Sequence, residues 1–205
     1  MPKDSNQGPV ICMSTDDRKK WDLRYRDGAY ANRGYPSDFL ENRIPELKIG
    51  RALDLACGAG RNAIYLAELG FKVDALDISS VGLDIAKKRS EEIGVSVNWI
   101  KQDLLVNWQP QKQKYDLILM FRFVSSELLV KLPQLLTRGG SLLVEEHLHW
   151  PEGNVVGPTS DRFRVMSGEL SAACKGLNVM FEYEGLVDEP DGSVAALSQI
   201  HAKKT

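Results

Sequence analysis

The chain has 205 residues, 43% hydrophobic and 26% charged, the balance of one soluble globular domain that is too short for a cofactor domain plus a separate substrate domain. A formal net charge of -2 without an extended basic run disfavours nucleic-acid binding. The early apolar run 9–13 is too short for a signal-peptide core, and nothing indicates a membrane protein. Cys12, Cys57 and Cys174 form no C-x-x-C pair, so reduced thiols and a cytoplasmic location are expected rather than a disulfide framework or a zinc site.

In chain order, residues 1–13 show no apolar periodicity and are expected to form a mobile tail. Residues 14–205 are expected to make one domain, with 14–48 as a helical cap. Ser14 or Thr15 could cap a first helix that carries Asp16 and Asp17 in its positive first turn and Trp21 and Tyr25 on one face. Gly28 to Pro36 reads as a loop and 39–47 as a second short helix. Short apolar strands then alternate with helices, which predicts parallel strands covered on both faces. Strands are expected at 51–55, 72–76, 96–101, 115–120 and 140–146, and helices at 60–69, 80–93 and 125–136, the last stopped by Arg138-Gly139-Gly140. A helix near 167–175 precedes two β-rich runs, 178–187 and 194–203. The intervening Glu189-Pro190-Asp191-Gly192 predicts a hairpin and an antiparallel last strand.

The stretch Leu53-Asp54-Leu55-Ala56-Cys57-Gly58-Ala59-Gly60-Arg61-Asn62 runs from a strand through a small-residue loop into a helix. Small residues admit close backbone approach, and the helix start offers N–H groups to an anion. Two cofactors could use it. A nicotinamide dinucleotide would read Gly58-x-Gly60-x-x-Ala63. S-adenosylmethionine (SAM) would use Asp54 to pair its ammonium group, followed by Ala56, Gly58 and Gly60. Asp54, the lack of a Tyr-x-x-x-Lys pair and the closing hairpin favour SAM. In the second strand, Asp77 is placed to accept both ribose hydroxyls; the alternative, capping the next helix, could equally fall to Ser79.

Asp54-x-x-Cys57-Gly58-x-Gly60-Arg61-Asn62-x-x-Tyr65-Leu66 resembles the first motif of class I SAM-dependent methyltransferases. Its Gly-Arg-Asn-x-x-Tyr-Leu portion, with Trp21-x-x-x-Tyr25 before it, is similar to the tellurite-resistance-type branch. Ala56 departs from the Gly common there. The resemblance implies a Rossmann-like, mostly parallel seven-stranded sheet with a C-terminal antiparallel hairpin, and SAM as cofactor. It implies a cofactor set of Trp21, Tyr25, Asp54, Ala56, Cys57, Gly58, Gly60, Arg61, Asn62, Asp77, Ile78, Asp103, Leu104 and Phe121. Asp103 would accept the adenine amine, with Leu104 and Ile78 covering the ring.

The resemblance also places the acceptor, expected to be a small molecule, beyond the fourth strand. Arg122 there invites an anionic acceptor or, equally, a salt bridge to Glu127. His147 could be a general base. Glu145, His147 and His149 alternate on one strand, but no fourth ligand is evident and no metal is expected. The loop 150–164 could lie over the acceptor pocket. A SAM-binding regulatory protein without catalysis and an NAD(P)-dependent oxidoreductase remain alternatives, and the oligomeric state is not legible.

Overall fold

The computed structural model describes residues 15–28, 30, 31, 33–106, 108 and 114–205. The expected tail 1–13 and the Ser14 cap lie outside the described residues. Helix α1 (Thr15–Arg26) and the short α2 (Asp38–Arg43) precede seven strands: β1 (Arg51–Leu55), β2 (Lys72–Asp77), β3 (Asn98–Lys101), β4 (Tyr115–Phe121), β5 (Leu136–His147), β6 (Asn178–Asp188) and β7 (Val194–Lys203). Helices α3 (Arg61–Glu68), α4 (Ser80–Ile93), α5 (Ser126–Leu129) and α6 (Glu169–Ala173) lie between them.

The sheet order is β3-β2-β1-β4-β5-β7-β6. Pairings from β3 to β5 are parallel, whereas β5–β7 and β6–β7 are antiparallel. This is the Rossmann-like sheet with an antiparallel closing hairpin. The central strands read as near-continuous apolar runs because both faces are covered. Leu53, Leu55, Ile118, Met120, Leu142 and Val144 point to one face, under α5 and α6. Their neighbours Ala52, Leu117, Leu119 and Leu143 point to the other, where Ala63 and Leu66 of α3 and Phe39 and Leu40 of α2 cover them. The period of two along each strand thus sorts one sequence run into two cores. Among the described residues no helix is long and apolar enough to cross a membrane.

Three expectations are corrected. The helix expected over 125–136 is only the four-residue α5 followed by a 3-10 turn, Leu132–Leu135. Pro133 stands at the start of that turn, where its missing N–H and fixed φ suit a beginning and not a helix interior. Arg138-Gly139-Gly140 is no helix stop but part of β5, which begins at Leu136. The pairing of β4 with β5 shifts between Tyr115 and Leu117, and Gly139 takes φ +78 while its N–H donates to the Lys204 carbonyl at 2.7 Å. The glycines serve an irregularity within the strand, a use that one-dimensional patterning reads as a boundary. The second helix is likewise split, α2 giving way to a 3-10 turn Ile44–Glu46 at Pro45.

Candidate active site

The sheet order reverses between β1 and β4, and a cavity of about 770 Å³ opens at the C-terminal ends of these strands, the ordinary ligand position in an open α/β sheet. Its floor is the loop after β1. Ala56, Gly58 and Gly60 all have positive φ (+56, +58 and +78), so the chain turns back on itself within five residues. Asp77 at the end of β2 clasps this loop: Oδ2 accepts the Gly58 N–H and Oδ1 the Ser79 N–H, both at 2.8 Å. Burial pushes the Asp77 carboxyl up, and the backbone N–H groups partly offset this. Ser79 caps α4 by accepting from Gly82 N–H, leaving Asp77 for the loop and the cavity.

Each carboxylate oxygen can accept a second hydrogen bond, so Asp77 retains capacity for a diol while it shapes the loop. Asp77→Ala is expected to weaken SAM binding by ~1.5–3 kcal/mol, the scale of a charge-linked hydrogen bond; unchanged affinity by calorimetry would remove it from the site.

Asp54 and Arg61 form the most unusual pair. Asp54 is 2% exposed, its Oδ2 has no hydrogen-bond partner, and its pKa is pushed up to about 7, by burial first, with Arg61 opposing and Asp77 adding to the rise. Arg61, the first residue of α3, lines the same cavity. Among the described residues no hydrogen bond or ion pair engages its guanidinium. Burial lowers its pKa, Glu145 opposes this, and Arg122 and Arg33 add to it. A buried anion and a half-buried cation, close enough to feel one another but not joined, lack partners of complementary charge.

Thirteen of the fourteen expected cofactor residues line the cavity, as do Arg122 and His147. Gly60 is the exception. A Cβ there would lie 2.5 Å from Trp99 Cη2 and 2.8 Å from Ala86 Cβ, so this glycine serves the packing of α3 against α4 and β3 rather than the ligand. Gly60→Ala is expected to cost about 1–3 kcal/mol in chemical denaturation, from strained φ and steric overlap. Gly58 is different, since its missing Cβ makes room for the Tyr25 hydroxyl. Tyr25 thereby lies over the loop, with Trp21 one turn before it. Asp22 between them, a residue the sequence did not single out, accepts from Ser79 Oγ at 2.7 Å and ties α1 to the start of α4. Asp103 accepts from the Leu105 N–H at 2.9 Å and fixes the turn beside the cavity. Burial raises the Cys57 thiol well above its ordinary pKa, which suits packing and not nucleophilic attack.

Arg122 is neither free for an anion nor paired with Glu127. Its Nε donates to Glu145 at 3.0 Å and one terminal nitrogen to Glu189 at 2.8 Å. The other terminal nitrogen meets His147 Nε2 at 3.1 Å. Arg122 also has φ +59, rare for a residue with a side chain. His147, half-buried and facing Arg122, Arg164 and Arg33, has its pKa lowered to about 3, chiefly by burial. Its ring is neutral at pH 7, and Arg122 offers a donor to the nitrogen that would have to take a proton. The contact to Arg122 and the lowered pKa both weaken His147 as a proton acceptor. Nor do Glu145, His147 and His149 converge: Glu145 also holds Gln199 at 2.7 Å, while His149 lies 3.9 Å from Asp161.

The cavity also gathers residues that spacing did not flag, among them Tyr30, Arg33, Phe123, Arg162 and Phe163. The loop 150–164 contributes the last two and is tied to α1 through Arg162–Asp17 at 3.3 Å and Lys20 over the Phe163 ring. The adjacent Arg-Phe at 162–163 was the one available signal.

Residues 52–140 match the family described as methyltransferase domain. The ubiquinone biosynthesis O-methyltransferase of Pseudoalteromonas translucida is 38% identical over 64 residues, 31% of this chain and 27% of that protein. The match thus spans well under half of that relative. Among solved structures, TehB from Haemophilus influenzae superposes with a TM-score of 0.71 at 19% identity, covering 90% of this chain and 67% of that one. The [4+2]-cyclase SpnF gives 0.70 at 17% identity, covering 96% and 97%. Residues 52–140 thus resemble a methyltransferase domain, and the chain as a whole shares the fold of these solved structures, the class I SAM-dependent methyltransferase fold.

Proposed function

We propose that the protein is an enzyme transferring a methyl group from SAM to a small-molecule acceptor, in the cytoplasm and without nucleic-acid or membrane partners. The observation that carries this reading is the Asp54–Arg61 pair. SAM ends in an α-amino acid, whose ammonium and carboxylate complement a buried carboxylate lacking a partner on Oδ2 and an unpaired guanidinium. Asp77 would accept from the ribose, Asp103 from the adenine amine, and Ile78 and Leu104 would cover the ring. A dinucleotide has no ammonium to place on Asp54, which counts against the oxidoreductase reading.

SAM supplies an electrophilic methyl group on a sulfonium. The chain's own residues then have to bind, orient and exclude water. Tyr25 and Trp21 cover the loop, and Phe121, Phe123 and Phe163 add aromatic walls to the cavity. Positioning alone contributes up to about 7–11 kcal/mol in favourable cases. The neutral, donor-engaged His147 favours an acceptor that needs no deprotonation by the protein, such as a soft or already anionic nucleophile. An anionic acceptor would find its counter-charge in Arg33 and not in Arg122. The same lack of a base favours a second reading, a SAM-binding protein without methyl transfer. Calorimetry with SAM, S-adenosylhomocysteine and NADH tests the cofactor, and labelled SAM with a metabolite extract tests turnover. Tight SAM binding with no labelled product would support the second reading, and NADH binding without SAM binding would overturn both.

A further inference from the structure

Part of the cavity lining is not used by the cofactor contacts proposed above. The Arg33 guanidinium lies 5.7 Å from the Tyr30 ring centroid and that of Arg162 lies 4.3 Å from Phe163, and all four residues line the cavity. Phe123 adds another aromatic side chain from the end of β4. Unlike Arg122, both cations have weak counter-ions. Arg33 meets Asp191 at 3.5 Å, with that acid 51% exposed, and Arg162, 49% exposed, meets Asp17 at 3.3 Å. Each pair also has a more buried member, Arg33 at 27% and Asp17 at 16%, but a pair that solvent reaches from one side is weakened by it, so a ligand anion can displace it. Arg33 also acts on the interior: its charge helps to hold both His147 and Arg61 toward their neutral forms. The positive potential therefore extends into the cavity.

We propose that this part of the cavity lining forms a subsite for a flat aromatic anion, with Arg33 supplying the counter-charge and Tyr30 and Phe123 the ring faces. The proposal rests on the cofactor reading above, because Arg61 is assigned to the SAM carboxylate and Arg33, less exposed than Arg162, is assigned to the acceptor. Aromatic walls bury a planar ring over a large area and in preferred offset or edge-on geometries, and a guanidinium holds a carboxylate in one orientation through its planar fork. An aliphatic anion forgoes the first and a neutral ring the second.

The test uses the full chain saturated with S-adenosylhomocysteine and three probes: 2-naphthoate, its uncharged analogue 2-naphthamide, and decahydronaphthalene-2-carboxylate, an anion without a ring face. Naphthoate is expected to bind about tenfold or more tightly than either analogue, a charge-assisted contact and a stacking contact being each on that scale. Arg33→Gln should bring naphthoate down to the naphthamide level while S-adenosylhomocysteine affinity stays within about twofold. Equal binding of naphthoate and naphthamide, equal binding of naphthoate and the saturated acid, or no naphthoate binding at all overturns the subsite. The three wild-type comparisons decide this even if the Arg33 variant folds poorly. If S-adenosylhomocysteine itself fails to bind, the cofactor reading fails first, and the two failures are told apart.

Discussion

Asp54→Asn is expected to abolish most SAM affinity and, at the same time, to make the free protein more stable. In the free protein the Asp54 carboxyl titrates at about 7 against an ordinary 3.8, burial being the main cause. A raised folded pKa means that the folded state binds a proton the unfolded chain has already lost. Stability therefore falls as pH rises from about 3.8 to about 7, and the penalty is complete above that window. Asn carries no charge and escapes the penalty, so the variant should gain on the order of a few kcal/mol above pH 7 and nothing below about pH 4. SAM binding runs the other way, because its ammonium needs the carboxylate. Wild-type affinity should rise with pH through the 5.5–7 range, roughly tenfold per unit at its steepest, while the variant's stays low and flat. Denaturant unfolding and calorimetry at several pH values read both effects. A variant that binds SAM normally, or a wild-type affinity that does not change over that range, removes Asp54 from the ammonium site.

Arg122→Met is expected to destabilise the fold by about 3–5 kcal/mol, the usual cost of stranding buried acids by removing their partner. Glu145 is 2% exposed and Glu189 has a side chain only 9% exposed. Both bond Arg122, and their charges hold its pKa above the ordinary value despite burial. Adding Glu145→Gln should recover part of the loss, since the amide keeps the contacts to Ser37 and Gln199 without the charge. Arg122→Met should also raise the His147 pKa from about 3, because burial and Arg122 are the two largest causes of its depression. A depressed His pKa contributes stability that is present above pH 6.5 and lost as pH falls toward 3. In the variant that loss should be complete at a higher pH, which imidazole NMR and acid unfolding would both register. SAM affinity should be unaffected in Arg122→Lys, since the proposed cofactor contacts lie at Asp54, Arg61 and Asp77. An Arg122→Met variant as stable as wild type would show that the cluster is not what holds β4, β5 and the hairpin turn together.

The parts of this protein legible in the sequence are those with a short physical range. The strand–loop–helix unit from Arg51 to Glu68 follows from an apolar run, small residues that tolerate positive φ and a following helical period, and β1 and α3 begin and end within a residue of expectation. The Pro-Asp-Gly turn announced the β6–β7 hairpin for the same local reason. Where a proline or glycine pair serves a distant element, local reading failed: Gly139 belongs to a bulge set by strand pairing, and Pro133 opens a 3-10 turn. The site divides in the same way. Asp54 and the loop between Ala56 and Asn62 were visible because one motif carries them, and Asp77 because it ends the next strand. Which arginine stands free was decided only by the tertiary structure. Glu189, 67 residues away on the hairpin turn, reaches back to take Arg122. Among the described residues no comparable acid closes on Arg61. Spacing can assign a residue to a face, but its partner is set by the register of strands that meet across the sheet, and charge pairing follows that register.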